Sequence, residues 1–294
     1  MISPQQLSGT GVALVTPFNA NKEIDHSALS KLVDFVISDG VNFLVALGTT
    51  AETATLSEKE KMAVIQTIKT TNNGRVPLVM GMGGNNTAEL VEAINLTNFD
   101  GIDAILSVTP YYNKPTQEGL YQHYKAISEV SPVPIILYNV PSRTGCNLKA
   151  ATTIRLSNDF DNIIAVKEAS GDMVQIMDII KNKPSEFIVL SGDDATTLPL
   201  IAMGGNGVIS VIANAYPKEF SSMVGALLND DISKGQQLHY QLIDIIKDIF
   251  IDGNPAGIKA ILQMRHLIDN QLRLPLVPVS DKTFQILKSH FDAF

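Results

Sequence analysis

Short apolar runs recur along the chain at residues 11–18, 43–48, 77–83, 104–110, 134–140, 163–170, 187–192 and 207–214. Between them, apolar residues return at helical spacing. A continuous apolar run bounded by polar segments reads as a strand buried on both faces, as in a parallel sheet. Several intervening stretches carry helix-start signals. Ser57 followed by Glu60 forms a capping-box pattern, and Thr87 and Thr116 also read as helix entries. Eight strand–helix units in strict alternation imply parallel strands joined by right-handed crossovers, and eight strands close a barrel. The expected fold class is therefore α/β, a (β/α)8 TIM barrel. An open doubly wound sheet is the rival, weakened because no G-x-G-x-x-G follows the first run. After residue 214 the pattern is helical only, over 217–228, 232–251, 256–268 and 281–291. This predicts the eighth barrel helix and a C-terminal three-helix extension. The expected organisation is a catalytic barrel over residues 1–230, with residues 231–294 packed on it as one structural unit.

Composition narrows the function classes. A length of 294 residues, 45% hydrophobic and 18% charged, suits one α/β barrel with a substantial core. The net charge of −8 without a basic tract argues against nucleic acid and anionic membrane surfaces as partners. A lone cysteine, Cys146, excludes an intramolecular disulfide and a cysteine-based metal cluster. The five histidines are scattered with no pair at ligand spacing, so no metal is expected. Asp193-Asp194 reads either as a divalent-ion ligand pair or as an acidic helix start. The first residues lack a basic and an apolar signal region, and no apolar stretch approaches the ~18 residues that span a bilayer. A cytoplasmic location is the expectation.

In a parallel barrel, chemistry gathers at the carboxyl ends of the strands. Lys167 lies in the run Ile163-Ile164-Ala165-Val166-Lys167-Glu168-Ala169-Ser170. An ammonium there loses hydration, and a neutral lysine amine is a nucleophile toward ketones. The alternative is a strand-end lysine with a buried stem and a head in water. The second run ends in Gly48-Thr49-Thr50-Ala51-Glu52, where hydroxyls and backbone N–H groups can hold a carboxylate or simply form a capped turn. Tyr111-Tyr112 follow the fourth run. The fifth ends at Tyr138, followed by Pro141-Ser142-Arg143-Thr144-Gly145, which frames an arginine suited to bidentate carboxylate binding. A nucleophilic lysine, tyrosine hydroxyls, two threonines and an arginine on one barrel face suit imine chemistry on a keto acid.

These motifs, in this order and spacing, resemble the dihydrodipicolinate synthase / N-acetylneuraminate lyase superfamily of class I aldolases. The matching segments are Gly48-Thr49-Thr50-Ala51-Glu52, Thr109-Pro110-Tyr111-Tyr112-Asn113-Lys114-Pro115, Tyr138 through Gly145, Val166-Lys167-Glu168-Ala169-Ser170 and Ser191-Gly192-Asp193-Asp194. The likeness covers nearly the whole chain, and the arginine loop with the tyrosine pair points to the dihydrodipicolinate synthases within it. The resemblance implies that Lys167 forms a Schiff base with pyruvate, and that Thr49 and Thr50 bind the pyruvate carboxylate. It implies that Tyr138 is the general acid/base, linked through Thr50 to Tyr112 of a neighbouring subunit. Arg143 then binds the carboxylate of L-aspartate 4-semialdehyde, and Gly192 and Ile209 line the pocket. No cofactor is implied beyond the covalent lysine imine, and the assembly implied is a homotetramer, a dimer of dimers. Two other readings stand beside this one: a sugar-acid lyase of the same superfamily, and a non-catalytic barrel that binds a small acid.

Two departures from the family pattern bear on the site. Ala51 stands where glycine is common, in the carboxylate-binding turn, and alanine tolerates positive φ less well. Ala54, Glu58, Lys61, Asn85, Glu89 and Tyr111 fall where lysine-sensitive members bind lysine as an allosteric effector. Lys61 replaces the usual histidine or glutamate, and a cation there repels a lysine ammonium, so weak or absent inhibition is expected.

Overall fold

The computed structural model describes residues 2–293. Each apolar run contributes one strand. The first half of the chain runs β1 (Gly9–Ala13), α1 (His26–Ser38), β2 (Phe43–Ala46), α2 (Glu58–Asn72), β3 (Leu78–Gly81), α3 (Thr87–Leu96), β4 (Ala104–Val108) and α4 (Gln117–Val130). It continues with β5 (Ile135–Asn139), the one-turn α5 (Pro141–Thr144), α6 (Ala150–Asp159), β6 (Ile163–Glu168), α7 (Met173–Asn182), β7 (Ile188–Ser191), α8 (Thr197–Ala202) and β8 (Gly207–Ser210). Every strand pairs in parallel with its sequence neighbours, and β1 pairs with β8, which closes the barrel. The fold class read from the hydrophobic pattern is the one observed.

Alternation along the strands divides the apolar side chains into two sets. Phe43, Val45, Val79, Leu106, Ile136, Leu190 and Ile209 fill the barrel interior. Residues of the opposite phase pack beneath the surrounding helices. The strands stop short of the runs that predicted them. The first run extends to residue 18 whereas β1 ends at Ala13, because the last apolar residues form the turns at the carboxyl ends rather than ladder.

The Ser57–Glu60 capping box is present at α2, and Thr116 caps α4 by accepting from the Gly119 N–H. At α3 the cap is Asn86, not Thr87. Thr87 is the first helical residue instead, and its hydroxyl lies 2.8 Å from His123 Nδ1. Beyond β8 come α9 (Pro217–Leu228), α10 (Ile232–Asp248), α11 (Ala256–Met264) and α12 (Asp281–Ala293). α10 packs on α9, and α12 on α11 and α10. A single apolar cluster runs from α1 and β1 through α9 and α10 to α11. Among the described residues no helix is long and apolar enough to cross a membrane.

Candidate active site

The carboxyl ends of the strands open into a continuous cavity and groove of about 1310 Å³. Lys167 and Tyr138 reach it from adjacent strands in direct register, both on the inward phase. The two side chains are 5% and 6% exposed, and Lys167 Nζ lies 4.3 Å from the centre of the Tyr138 ring. Among the described residues no carboxylate lies within ion-pairing distance of this amine. A buried lysine without a counter-ion is costly to keep as a merely structural group.

The strand that presents Lys167 is held from behind. Glu168, one residue on, faces outward and is buried. Its carboxylate accepts from Asn139 Nδ2, Gln175 Nε2 and the Ser170 N–H, which joins the ends of β5 and β6 to α7. Burial pushes the Glu168 carboxyl above its ordinary range, against the lowering effect of these donors. Gly192 allows the close approach on the other side. A Cβ there would sit 2.6 Å from Ala169 Cβ and 3.1 Å from Lys167 Cε.

Arg143 lies in α5, whose first residue is Pro141 and whose cap, Gly145, takes φ 69°. Proline fixes the entry and glycine the left-handed exit, so the loop has one direction. The guanidinium is exposed, lines the cavity and ion-pairs with no carboxylate among the described residues. Across the mouth, Thr49, Thr50 and Ala51 form a 3-10 turn. The turn is tied down by hydrogen bonds from Thr53 Oγ1 to the Gly48 carbonyl and from Thr16 Oγ1 to the Ala51 carbonyl. Thr49 is exposed and Thr50 buried, and both line the cavity. Positive φ in this stretch falls on Leu47 and Glu52, not on Ala51, so the alanine fits without strain.

The remaining expected residues are placed less uniformly. Gly192 lines the cavity, whereas Ile209 is buried in the barrel interior. Val211, the next residue of the same phase, forms the wall instead. Tyr112 is not on the wall. It is 92% exposed at φ 71°, an uncommon backbone for a bulky residue. Thr50 Oγ1 accepts from Asn254 Nδ2 at 2.9 Å, and no hydrogen bond joins it to either tyrosine among the described residues. Ala54, Glu58, Lys61, Asn85, Glu89 and Tyr111 all line the outer groove, where Lys61 Nζ pairs with Glu58 Oε1 at 2.6 Å. Asp193 and Asp194 act as a helix start and anchor. Asp193 caps the following turn, and buried Asp194 accepts from the Val211 and Ile212 N–H groups. Burial raises the Asp194 carboxyl to about 6. Among the described residues no group of three or more His, Cys, Asp or Glu could hold a metal ion.

A family model for the dihydrodipicolinate synthetase family matches residues 6–293. The chain belongs to that family. It is 54% identical to the 4-hydroxy-tetrahydrodipicolinate synthase of Parabacteroides distasonis over 282 residues, covering 96% of this chain and 95% of that one. The synthase of Flavobacterium psychrophilum is also 54% identical, over 94% of each chain. Among solved structures, the dihydrodipicolinate synthase of Acinetobacter baumannii, complexed with pyruvate, superposes with a TM-score of 0.94 at 40% identity, over 97% of this chain and 98% of that chain.

Sequence reasoning overlooked one side of the family's cavity in this chain. Phe250, Asn254, Pro275 and Leu276 of the C-terminal region line it. A signal for that region was present in Ala256-Gly257-Ile258-Lys259-Ala260-Ile261-Leu262, a lysine in an apolar helix, as anomalous as Lys167 in its strand.

Proposed function

We propose that the protein is a lyase that condenses pyruvate with L-aspartate 4-semialdehyde to give 4-hydroxy-tetrahydrodipicolinate, the first committed step toward diaminopimelate and lysine. The observation that carries this reading is Lys167 itself, a buried amine at the mouth of the barrel with no counter-ion among the described residues, 4.3 Å from the Tyr138 ring centre. The near-full-length relatives that bear the synthase name support it.

In the proposed sequence, Lys167 Nζ attacks the pyruvate carbonyl carbon, and loss of water leaves an imine. The imine nitrogen withdraws electrons as the methyl group gives up a proton, which yields an enamine. The enamine carbon attacks the aldehyde, the semialdehyde amine attacks the imine carbon, and transimination releases the ring and regenerates Lys167. Tyr138 moves the protons. Thr49 and Thr50 hold the pyruvate carboxylate with hydroxyl and backbone donors, and Arg143 holds the carboxylate of the semialdehyde. The lysine imine supplies the electron sink, so the proposal requires no separate cofactor. Tyr112, exposed and held in a left-handed backbone, suits insertion into the site of a second copy. The assembly proposed is a homotetramer of two tight dimers, working in the cytoplasm.

Side-by-side turnover tests the substrate assignment. The kcat/KM for aspartate semialdehyde with pyruvate is expected to exceed that for N-acetylneuraminate cleavage by about 10²-fold or more, because a site built to pair a charged carboxylate rejects compounds that leave it unpaired. The reverse order would sink the assignment in favour of a sugar-acid lyase.

The outer groove predicts the response to L-lysine. Lys61 adds a cation where an effector ammonium would sit, and its pairing with Glu58 occupies one of the groove's carboxylates. Initial rates are expected to be unchanged by L-lysine up to about 1 mM. Half-inhibition below that concentration contradicts the prediction.

A further inference from the structure

The C-terminal region reaches into the cavity at the turn that carries Thr49 and Thr50. Asn254, between α10 and α11, donates from Nδ2 to Thr50 Oγ1 at 2.9 Å. A hydroxyl that accepts from an amide keeps its own hydrogen for a second acceptor, and Thr50 lines the cavity. A short distance along, Lys259 of α11 is fully buried, with Nζ bonded to Glu52 Oε1 and to the Gln271 carbonyl. Glu52 Oε2 accepts from the Arg273 N–H at 2.9 Å. The Arg273 guanidinium goes on to the Thr55 carbonyl and to Glu60 Oε1.

Glu52 follows the threonine turn directly and takes φ 54°. A non-glycine residue in that region persists only where its surroundings over-determine it. Here the Glu52 N–H donates to the Thr49 carbonyl, its own carbonyl accepts from the Thr55 N–H and hydroxyl, and its carboxylate is held by the two C-terminal donors. Three residues of the helical extension thus clamp one turn of the barrel more than 200 positions earlier, at the place where the proposed function puts the pyruvate carboxylate.

We propose that the extension is a positioning device for the keto-acid carboxylate: Asn254 directs the Thr50 hydroxyl into the cavity, and the Lys259–Glu52–Arg273 cluster sets the turn that presents Thr49 and Thr50. Burial lowers Lys259 to about 8, against the raising effect of Glu52, so the cation depends on its partner. The inference rests on the reading of the threonine turn as the pyruvate site. It assigns Asn254 and Lys259 a role that acts through other residues.

A double-mutant cycle in the full-length protein tests it. Asn254→Ala is expected to raise KM for pyruvate about tenfold, with kcat within about twofold. Thr50→Val is expected to raise KM at least as much, and Asn254→Ala added to Thr50→Val should change it no further. Independent effects that multiply in the double variant would show that Asn254 meets substrate directly and overturn the proposal, as would an unchanged KM in Asn254→Ala. The ion pair is tested by replacing both partners together, Glu52→Met with Lys259→Met, so that no buried charge is stranded. A folded double variant with pyruvate KM raised about tenfold supports the positioning role. Wild-type KM in that variant makes the pair merely structural. Borohydride trapping of pyruvate on wild-type Lys167 is the control. Labelling there with unchanged KM in the variants removes only this inference, whereas absent labelling removes the proposed function with it.

Discussion

Lys167→Ala is expected to abolish condensation, lowering kcat/KM by at least about 10³-fold, a barrier increase of about 4 kcal/mol. Alanine supplies no nucleophile, and among the described residues the other lysine lining the cavity, Lys61, is paired with Glu58. The other buried lysine of the barrel's upper end, Lys259, is engaged by Glu52 and the Gln271 carbonyl. Reduction with borohydride in the presence of pyruvate, followed by peptide mass mapping, is expected to label Lys167 alone in the wild type and nothing in the variant. The loss should be catalytic rather than structural. Lys167 has no ion-pair partner to strand among the described residues, and its head borders an open cavity rather than packed core. The thermal midpoint should therefore move by a few degrees at most, since the truncation borders a cavity and strands no buried partner. Wild-type activity in Lys167→Ala, or labelling of another lysine, would remove the class I aldolase reading.

The second large effect is expected at Arg143. Arg143→Ala should lower kcat/KM for aspartate semialdehyde by about 10²-fold, roughly 2.7 kcal/mol, the scale of a lost charge-assisted pair. Imine formation with pyruvate should survive, because in the proposed mechanism Arg143 serves the second substrate and Thr49 and Thr50 the first. Borohydride labelling of Lys167 is thus the readout that separates the two roles. Arg143→Lys should recover only part of the loss, since an ammonium lacks the planar fork that meets both carboxylate oxygens. The guanidinium is exposed and makes no ion pair among the described residues, so stability should be unchanged. Loss of labelling in Arg143→Ala would mean that the arginine acts on pyruvate instead.

The barrel was legible because its cause is local. Each strand is a mainly apolar run, each helix a periodic stretch, and strict alternation of the two leaves few ways to bury them all. The direction of Arg143 was legible for a similar reason, since Pro141 and Gly145 fix α5 within a few residues. Boundaries were less so. β1 ends before its apolar run does, and α3, which begins at Thr87 as the sequence suggests, takes its cap from Asn86 while the Thr87 hydroxyl meets His123 on a different helix. The interior position of Ile209 and the wall position of Val211 depend on how far β8 rises before the cavity opens, which no spacing in the chain encodes.

The contrast between the two buried lysines marks the boundary most clearly. Both Lys167 and Lys259 are cations inside apolar segments, yet the residues alone leave Lys167 open between a buried amine and a strand-end lysine with its head in water, and Lys259 went unread. Which of them is free was settled only when the chain closed. Folding brings Glu52 against Lys259 across 207 positions and brings no carboxylate within ion-pairing distance of Lys167 among the described residues. The apolar setting of a side chain follows from its near neighbours in sequence, whereas pairing depends on what the closed barrel and its C-terminal helices bring from far away. One lysine is therefore held by a carboxylate, and the other stands at the cavity with no ion-pair partner among the described residues.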